Sequence, residues 1–432
     1  MLQKTEKQFV KAGDRHIAEI ASKLKTYDYV NIQFEAGLYG ASQADVLRRM
    51  NVLIDACKNL TFTMHRVDPP KNDIDTIITK CWDIFWTKGP VGVYNHIINS
   101  VGARRHEVVY ARLIRDIRQR KLRGQNVWIA VHTRRERRLI EEFFDCKNVF
   151  DFPITFLRPD EREALRNPAD PDAFRRKHSV PDGVKVIGAF GFVSAYKGYE
   201  TLIRALSLLP ENYHLYIFGG QHPQSIQANV PIDPYLKQLI DLIEAETGEL
   251  IGKDQRRFGL AQGILKTSAG SRAPEQSVDQ NALRSAETLS DRTGPQVSLE
   301  LVKAKELINR VRFVGGLDDP DFLEALRMSD AVILPYLEVG QSMSGVVCLA
   351  LESHANMFCT NNNSMNEVRR YHGKVYTTFD IGNFVELAQK IRLPQPDYTA
   401  QRDLSYAKYN IVENVRRHLD VLGHAPLSEA TK

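Results

Sequence analysis

The residues best placed to do chemistry in this chain stand at the ends of apolar runs. Phe190-Gly191-Phe192-Val193-Ser194-Ala195-Tyr196-Lys197-Gly198 follows one run, and a small-residue loop, Glu338 to Gly345, follows another that ends at Tyr336. Two further runs end in Gly219-Gly220 and Gly315-Gly316. Glycines at strand ends leave room for a ligand against the backbone. The loop from Ser344 through Gly345, Val346 and Val347 opens a helix, whose first N–H groups are free and face the positive dipole end. Lys197 and Gly198 add a cation beside a turn. Such a concentration of donors suits a nucleotide diphosphate. Glu352 lies about two turns into that helix on an apolar face with Val347, Leu349 and Leu351. A carboxylate there calls for a partner, either a ribose diol or a neighbouring Arg or Lys. For each feature taken alone, an ordinary surface loop and a solvated lysine explain it as well.

Three smaller groups mark the first half. Glu35, Gly37 and Gly40 end the run YVNIQF, in an acceptor-contacting or a turn-stabilising role. His65 and Arg66 end LTFTM, and His132 ends VWIAV, where a structural histidine is the plainer reading.

The elements that must position these residues alternate. Strands over Tyr27–Phe34, Leu60–Val67, Val127–Thr133 and Phe152–Leu157 are separated by helical stretches, one of them long and broken at Gly89-Pro90. This predicts a parallel α/β sheet. The Pro-, Asp- and Arg-rich stretch Arg158–Gly183 reads as the junction, which puts a first domain at 1–165 and a second at 166–395. The second predicts six strands: Val184–Phe192, His214–Phe218, Val311–Gly315, Asp330–Tyr336, Met357–Thr360 and Lys374–Thr378. That is a complete Rossmann-like unit. Thr247–Ser298 is Gln-, Ser-, Ala- and Gly-rich without a sustained period and reads as a flexible insertion. The remaining 396–432 reads as a C-terminal helix and tail.

Hydrophobic residues at 43% and charged residues at 26% are those of a soluble globular protein. The five cysteines form no CxxC pair, which fits a reducing cytoplasm and argues against a zinc site. Residues 101–150 carry 13 basic and 6 acidic side chains. The basic helical stretch Arg104–Arg123, near Trp82, Phe85 and Trp86, suits a solvated face or a peripheral position on an anionic membrane surface. No nucleic-acid-binding module is recognisable.

SAYKGYETLIRAL, HLYIFGG, VRFVGGL, DAVILPY and SGVVCLALE, in this order and spacing, resemble the nucleotide-sugar-binding domain of retaining glycosyltransferases of the GT-B fold, in the large family-four class. VNIQFEAGLYG, LTFTMHRVDP and VWIAVHT resemble the acceptor-side domain of the same class. The resemblance implies two Rossmann-like domains facing a cleft, the first of them shortened because the class's opening strand has no counterpart before Asp14. It implies a sugar moved from a nucleotide diphosphate sugar to a glycan or lipid-linked acceptor, without metal or other cofactor. By the same resemblance Lys197 binds the diphosphate, the backbone of Gly345, Val346 and Val347 cradles phosphate and sugar, Glu352 holds the ribose, and His65 faces the transferred sugar. Two positions depart from the class's pattern: Ser344 replaces the first glutamate of Glu-x7-Glu, and Phe192 replaces an arginine, whose contact Arg66 would have to supply. A catalytically weak module that binds a nucleotide sugar is the alternative. A sugar-nucleotide epimerase of the same fold has no positive support.

Overall fold

The structure, a computed structural model, describes residues 2–40, 42–67, 74–166, 170–221, 233–247, 307–338 and 342–423. The stretch read as an insertion lies outside these residues apart from Thr247, as does Gly340.

Strands β1 (Tyr29–Phe34), β2 (Asn59–Met64), β3 (Asn126–Val131) and β4 (Val149–Asp151) form a four-stranded parallel sheet in that order. Helices cover both faces, so the strands read as nearly continuous apolar runs. Phe34, Leu60, Phe62, Met64 and Ile129 pack with Met50, Ile54, Leu113, Ile114 and Ile117 into one core. Helix Gln43–Asp55 starts at Ser42, whose hydroxyl accepts from the Asp45 amide. The long helical segment Ile74–Leu122 breaks at Gly89 (φ 67°, ψ −171°), just before Pro90. Only glycine takes that conformation cheaply, so the predicted break falls where the dipeptide requires it.

The second sheet holds β5 (Lys185–Phe190), β6 (Tyr213–Phe218), β7 (Val311–Phe313), β8 (Ala331–Leu334), β9 (Met357–Thr360) and β10 (Thr377–Phe379), all parallel, ordered β10-β9-β8-β5-β6-β7. The chain leaves β5 for β6 on one side and later returns to β8 on the other. The loops after β5 and β8 therefore diverge and leave a crevice at the carboxyl edge, the usual ligand position in such sheets. The chain thus has the two-domain α/β GT-B architecture, with a shorter first sheet.

One predicted strand is corrected. The fourth strand is Val149–Asp151; Phe152 N still donates to the Val131 carbonyl of β3 (2.9 Å), and beyond it 153–157 is an extended linker outside the sheet. Its amides go to side chains of the second domain instead: Ile154 to Met343 Sδ (3.3 Å), and Phe156 and Leu157 to Glu352. At the other end, helix Thr399–Lys408 packs on the second domain, where buried Arg402 donates to the Val375 and Ala355 carbonyls. Helix Ile411–Val421 then returns to the first domain. His418 meets Thr61 at 2.7 Å, and the Leu422 carbonyl accepts from Asn126. Val412 and Val415 of this helix are exposed.

Candidate active site

Lys197 is buried where the β5 and β8 loops diverge, only 4% exposed. Its Nζ donates to the Tyr336 hydroxyl at 2.5 Å and lies 3.9 Å from that ring's centre. Tyr336 Oη in turn lies 3.3 Å from Ser344 Oγ. No carboxylate neutralises the amine among the described residues, and burial pulls it down to about 7. Glycine makes the corner possible. Gly198 has φ +66°, and a Cβ there would fall 2.1 Å from the Pro335 carbonyl oxygen. A Cβ on Gly219 would fall 1.9 Å from the Gly191 carbonyl oxygen, so the β5 and β6 loops pass backbone to backbone. Gly220 meets only Gly316. Gly191 faces both Lys197 Nζ and Val346 Cγ2, which brings Lys197 and the Gly345–Glu352 helix together as expected. Among the described residues no side chain caps that helix at Ser344, so its first amides point free into the corner.

Glu352 stands elsewhere. It is the last residue of its helix, roughly 10 Å along the axis from Gly345. Both carboxylate oxygens accept from the linker, Oε1 from Phe156 N (3.2 Å) and Oε2 from Phe156 N (3.1 Å) and Leu157 N (2.6 Å). Within the protein its carboxylate is met not by a paired cation but by a backbone distant in sequence. Arg162 binds the residue's carbonyl and forms its ion pair with Asp403. Burial pushes the Glu352 carboxyl up to about 7, against the lowering effect of the two amides.

Across the cleft the first sheet presents a different edge. His65 Nδ1 and His132 Nε2 are 3.1 Å apart, and His132 Nδ1 lies 3.2 Å from the Phe152 carbonyl. A carbonyl only accepts, so Nδ1 of His132 carries the proton. Burial holds His132 down at about 4, so it is neutral and its Nε2 is a bare acceptor. His65 must then donate from Nδ1. Burial also lowers His65, with the Glu35 charge opposing, so neutral His65 offers a bare Nε2. The structure therefore joins Glu35, His65 and His132, and assigns His132 the task of fixing a tautomer. Gly37 is exposed in a short helix, with nothing near its missing Cβ. Arg66 is exposed beside His65.

Glu136 was not singled out in the sequence. It is fully buried, and burial pushes its carboxyl up to about 7 although the Thr133 hydroxyl (3.0 Å) and the Val67 amide (3.0 Å) donate to it. The signal available was Thr133-x-x-Glu136 at the start of a helix, a capping-box spacing. The two edges meet where Ser342 Oγ donates to the His65 carbonyl at 2.6 Å.

In the basic stretch Arg104–Arg123 the side chains of Arg104 and Arg105 lie outside the described residues, and four of the others are held within their own domain. Arg118 pairs with Asp145, Arg120 with Asp55 and Asn51, and Arg115 and Lys121 lie over Phe144 and Trp128. Trp82, Phe85 and Trp86 are exposed, with Trp86 edge-to-face against both of the other rings. Among the described residues no group of His, Cys, Asp or Glu is arranged to hold a metal ion, and no helix is long and apolar enough to cross a membrane.

No protein-family model matches the chain, and no curated protein sequence does. Solved structures do match by fold. HepE of Anabaena in complex with UDP superposes with a TM-score of 0.54 at 13% identity, over 95% of this chain and 82% of that one. WaaG, a glycosyltransferase involved in lipopolysaccharide biosynthesis, gives 0.51 at 11%, over 96% of each chain. A UDP-forming α,α-trehalose-phosphate synthase from Burkholderia xenovorans gives 0.52 at 13%, over 95% of this chain and 78% of that one.

Proposed function

We propose that this protein is a glycosyltransferase that takes a sugar from a nucleotide diphosphate sugar and passes it, with retention, to a glycan or lipid-linked acceptor. The observation that carries the reading is Lys197, a buried amine with no counter-anion among the described residues, in a glycine-walled corner that also receives a helix start uncapped among those residues. A diphosphate would supply the missing negative charge and accept from the amides of Gly345, Val346 and Val347. Charge growing on the leaving diphosphate would be stabilised by groups already in place, without a metal. The transferred sugar would lie between this corner and His65, whose bare Nε2 accepts from one of its hydroxyls. UDP-sugars are the first donors to test, because the fold's solved neighbours include a complex with UDP.

Two further parts of the reading follow from exposure and contact. The exposed, edge-to-face cluster Trp82, Phe85 and Trp86 suits an interfacial position on an anionic membrane face, the aromatic rings supplying what the paired arginines do not. Glu352 positions the linker, and the ribose is left to other groups. The second reading, a nucleotide-sugar-binding module with little turnover, draws on Ser344, Phe192 and the engaged Glu352. One experiment separates the two: incubate the protein with a panel of UDP-sugars and measure UDP release beside equilibrium binding. Turnover supports the transferase, saturable binding without turnover supports the module, and no binding by any nucleotide sugar ends both.

A further inference from the structure

Outside the donor corner, cations gather on one concave strip. Helix Arg134–Phe143 of the first domain and helix Asn363–His372 of the second flank a groove of about 720 Å³, which continues past Arg135 and Arg370 into a second hollow of about 540 Å³. Six Arg or Lys side chains line the two hollows against two carboxylates, a surplus of four. Among the described residues Arg135, Arg138, Arg369 and Lys374 have no ion-pair partner, although Arg137 and Arg370 close by do. Unpaired like charges facing one hollow repel each other and raise its affinity for an anion.

A second observation narrows the ligand. Glu367 is 5% exposed; one of its oxygens binds Arg370, and the other, Oε2, is buried with no hydrogen-bond partner among the described residues. A buried acceptor left unmatched is costly, and a hydroxyl would satisfy it. The groove therefore asks for an anion and a hydroxyl in one molecule. Planar guanidinium forks match the oxygens of a phosphate.

The strip is continuous with the proposed active site. The Asn363 amide donates to Glu338 at 2.8 Å, and Ser364 Oγ to the Ser342 carbonyl at 3.3 Å, so this helix starts against the loop that touches His65. From there the groove runs outward for roughly 15 Å, the length of the helix. Its two walls are latched by Tyr371, whose hydroxyl donates to Asp151 at 2.6 Å beneath the Arg134 guanidinium.

We propose that this groove holds a phosphate-bearing saccharide, the outer part of the acceptor, with the arginines on its phosphate and Glu367 Oε2 on a hydroxyl. The assignment as acceptor rests on the transferase reading; the binding site does not. The test is equilibrium titration of the full chain with mannose 6-phosphate, with and without excess UDP, using mannose as the neutral control. Mannose 6-phosphate binds in both conditions, at least tenfold more tightly than mannose, and more weakly as salt rises. The triple variant R135Q/R369Q/K374Q loses tenfold or more of that affinity and keeps its UDP affinity within about twofold, which shows that it is folded. Lys197→Met leaves mannose 6-phosphate binding intact. The proposal is overturned if mannose 6-phosphate does not bind, binds the triple variant equally well, or is displaced by UDP, which would put it in the donor corner. If UDP itself fails to bind while the groove-dependent affinity persists, the donor reading falls and the phosphosaccharide site stands.

Discussion

The two carboxyl edges that face each other across the cleft solve opposite electrostatic problems. Among the described residues the second domain buries one lysine, Lys197, and walls it with glycine backbone and aromatic rings. The first domain buries acceptors and neutral rings: His132 and Glu136 lie inside, with His65 half-covered above them. Burial shifts all of these groups toward neutrality, Lys197 down to about 7 and Glu136 up to about 7. The lesson is one of readiness. The Lys197 edge has no carboxylate against its amine among the described residues, a charge that a diphosphate would bring. The histidine edge is saturated with internal hydrogen bonds and offers one defined lone pair.

The largest way to break this contrast is steric. Gly198→Ala would drive a Cβ into the Pro335 carbonyl at a φ that side chains rarely adopt. We expect a loss of roughly 3 kcal/mol in denaturant unfolding, together with loss of UDP binding. A comparable change at exposed Gly37, where nothing crowds the missing Cβ, should leave stability within about 0.5 kcal/mol.

Lys197→Met tests the charge alone. UDP affinity should fall by roughly ten- to a hundredfold, while the melting temperature holds or rises because an apolar chain replaces a buried amine. In the parent, Lys197 sits at about 7 without ligand, so binding diphosphate must recruit a proton above that pH. UDP affinity should therefore fall by up to about tenfold per pH unit above pH 7, with proton uptake measurable by calorimetry in two buffers. A flat profile in the parent would remove Lys197 from the phosphate site.

On the opposite edge, His132→Phe keeps a ring in place but removes the acceptor that fixes His65. Turnover should drop roughly five- to tenfold with UDP affinity unchanged, and the pH–rate profile should shift as His65 regains both tautomers. An unaltered profile would reduce His132 to packing.

The smallest effect separates Glu352 from the donor. Glu136 and Glu352, both raised from 4.5 to about 7, hold protons in the folded state that the unfolded chain has released. Their contribution is complete below pH 4.5 and lost as pH rises through 7, so stability should decline across that window. Glu352→Gln should flatten part of the decline in melting temperature and leave UDP affinity unchanged. A marked loss of UDP affinity would return Glu352 to the ribose.

Much of this was legible in the chain. Apolar runs and their glycine-bearing ends marked nine of ten strands, the diverging loops, Lys197 and the uncapped helix start, because strand, turn and cap preferences act over a few residues. The partners of charged groups were not. Glu352 was readable as a buried helix carboxylate, yet the amides that satisfy it lie on a linker nearly two hundred residues earlier in the chain. That linker itself looked like a strand, since an extended apolar segment has the same local signature whether its amides meet a neighbouring strand or a side chain. The arginines of 112–123 looked like one basic face, and three of them, Arg115, Arg118 and Arg120, turned out to be held by Phe144, Asp145 and Asp55. Local sequence determines which conformation a segment adopts and which side chains it buries. Only the tertiary structure decides what a buried charge meets, because that contact is made by elements that fold together from distant parts of the chain.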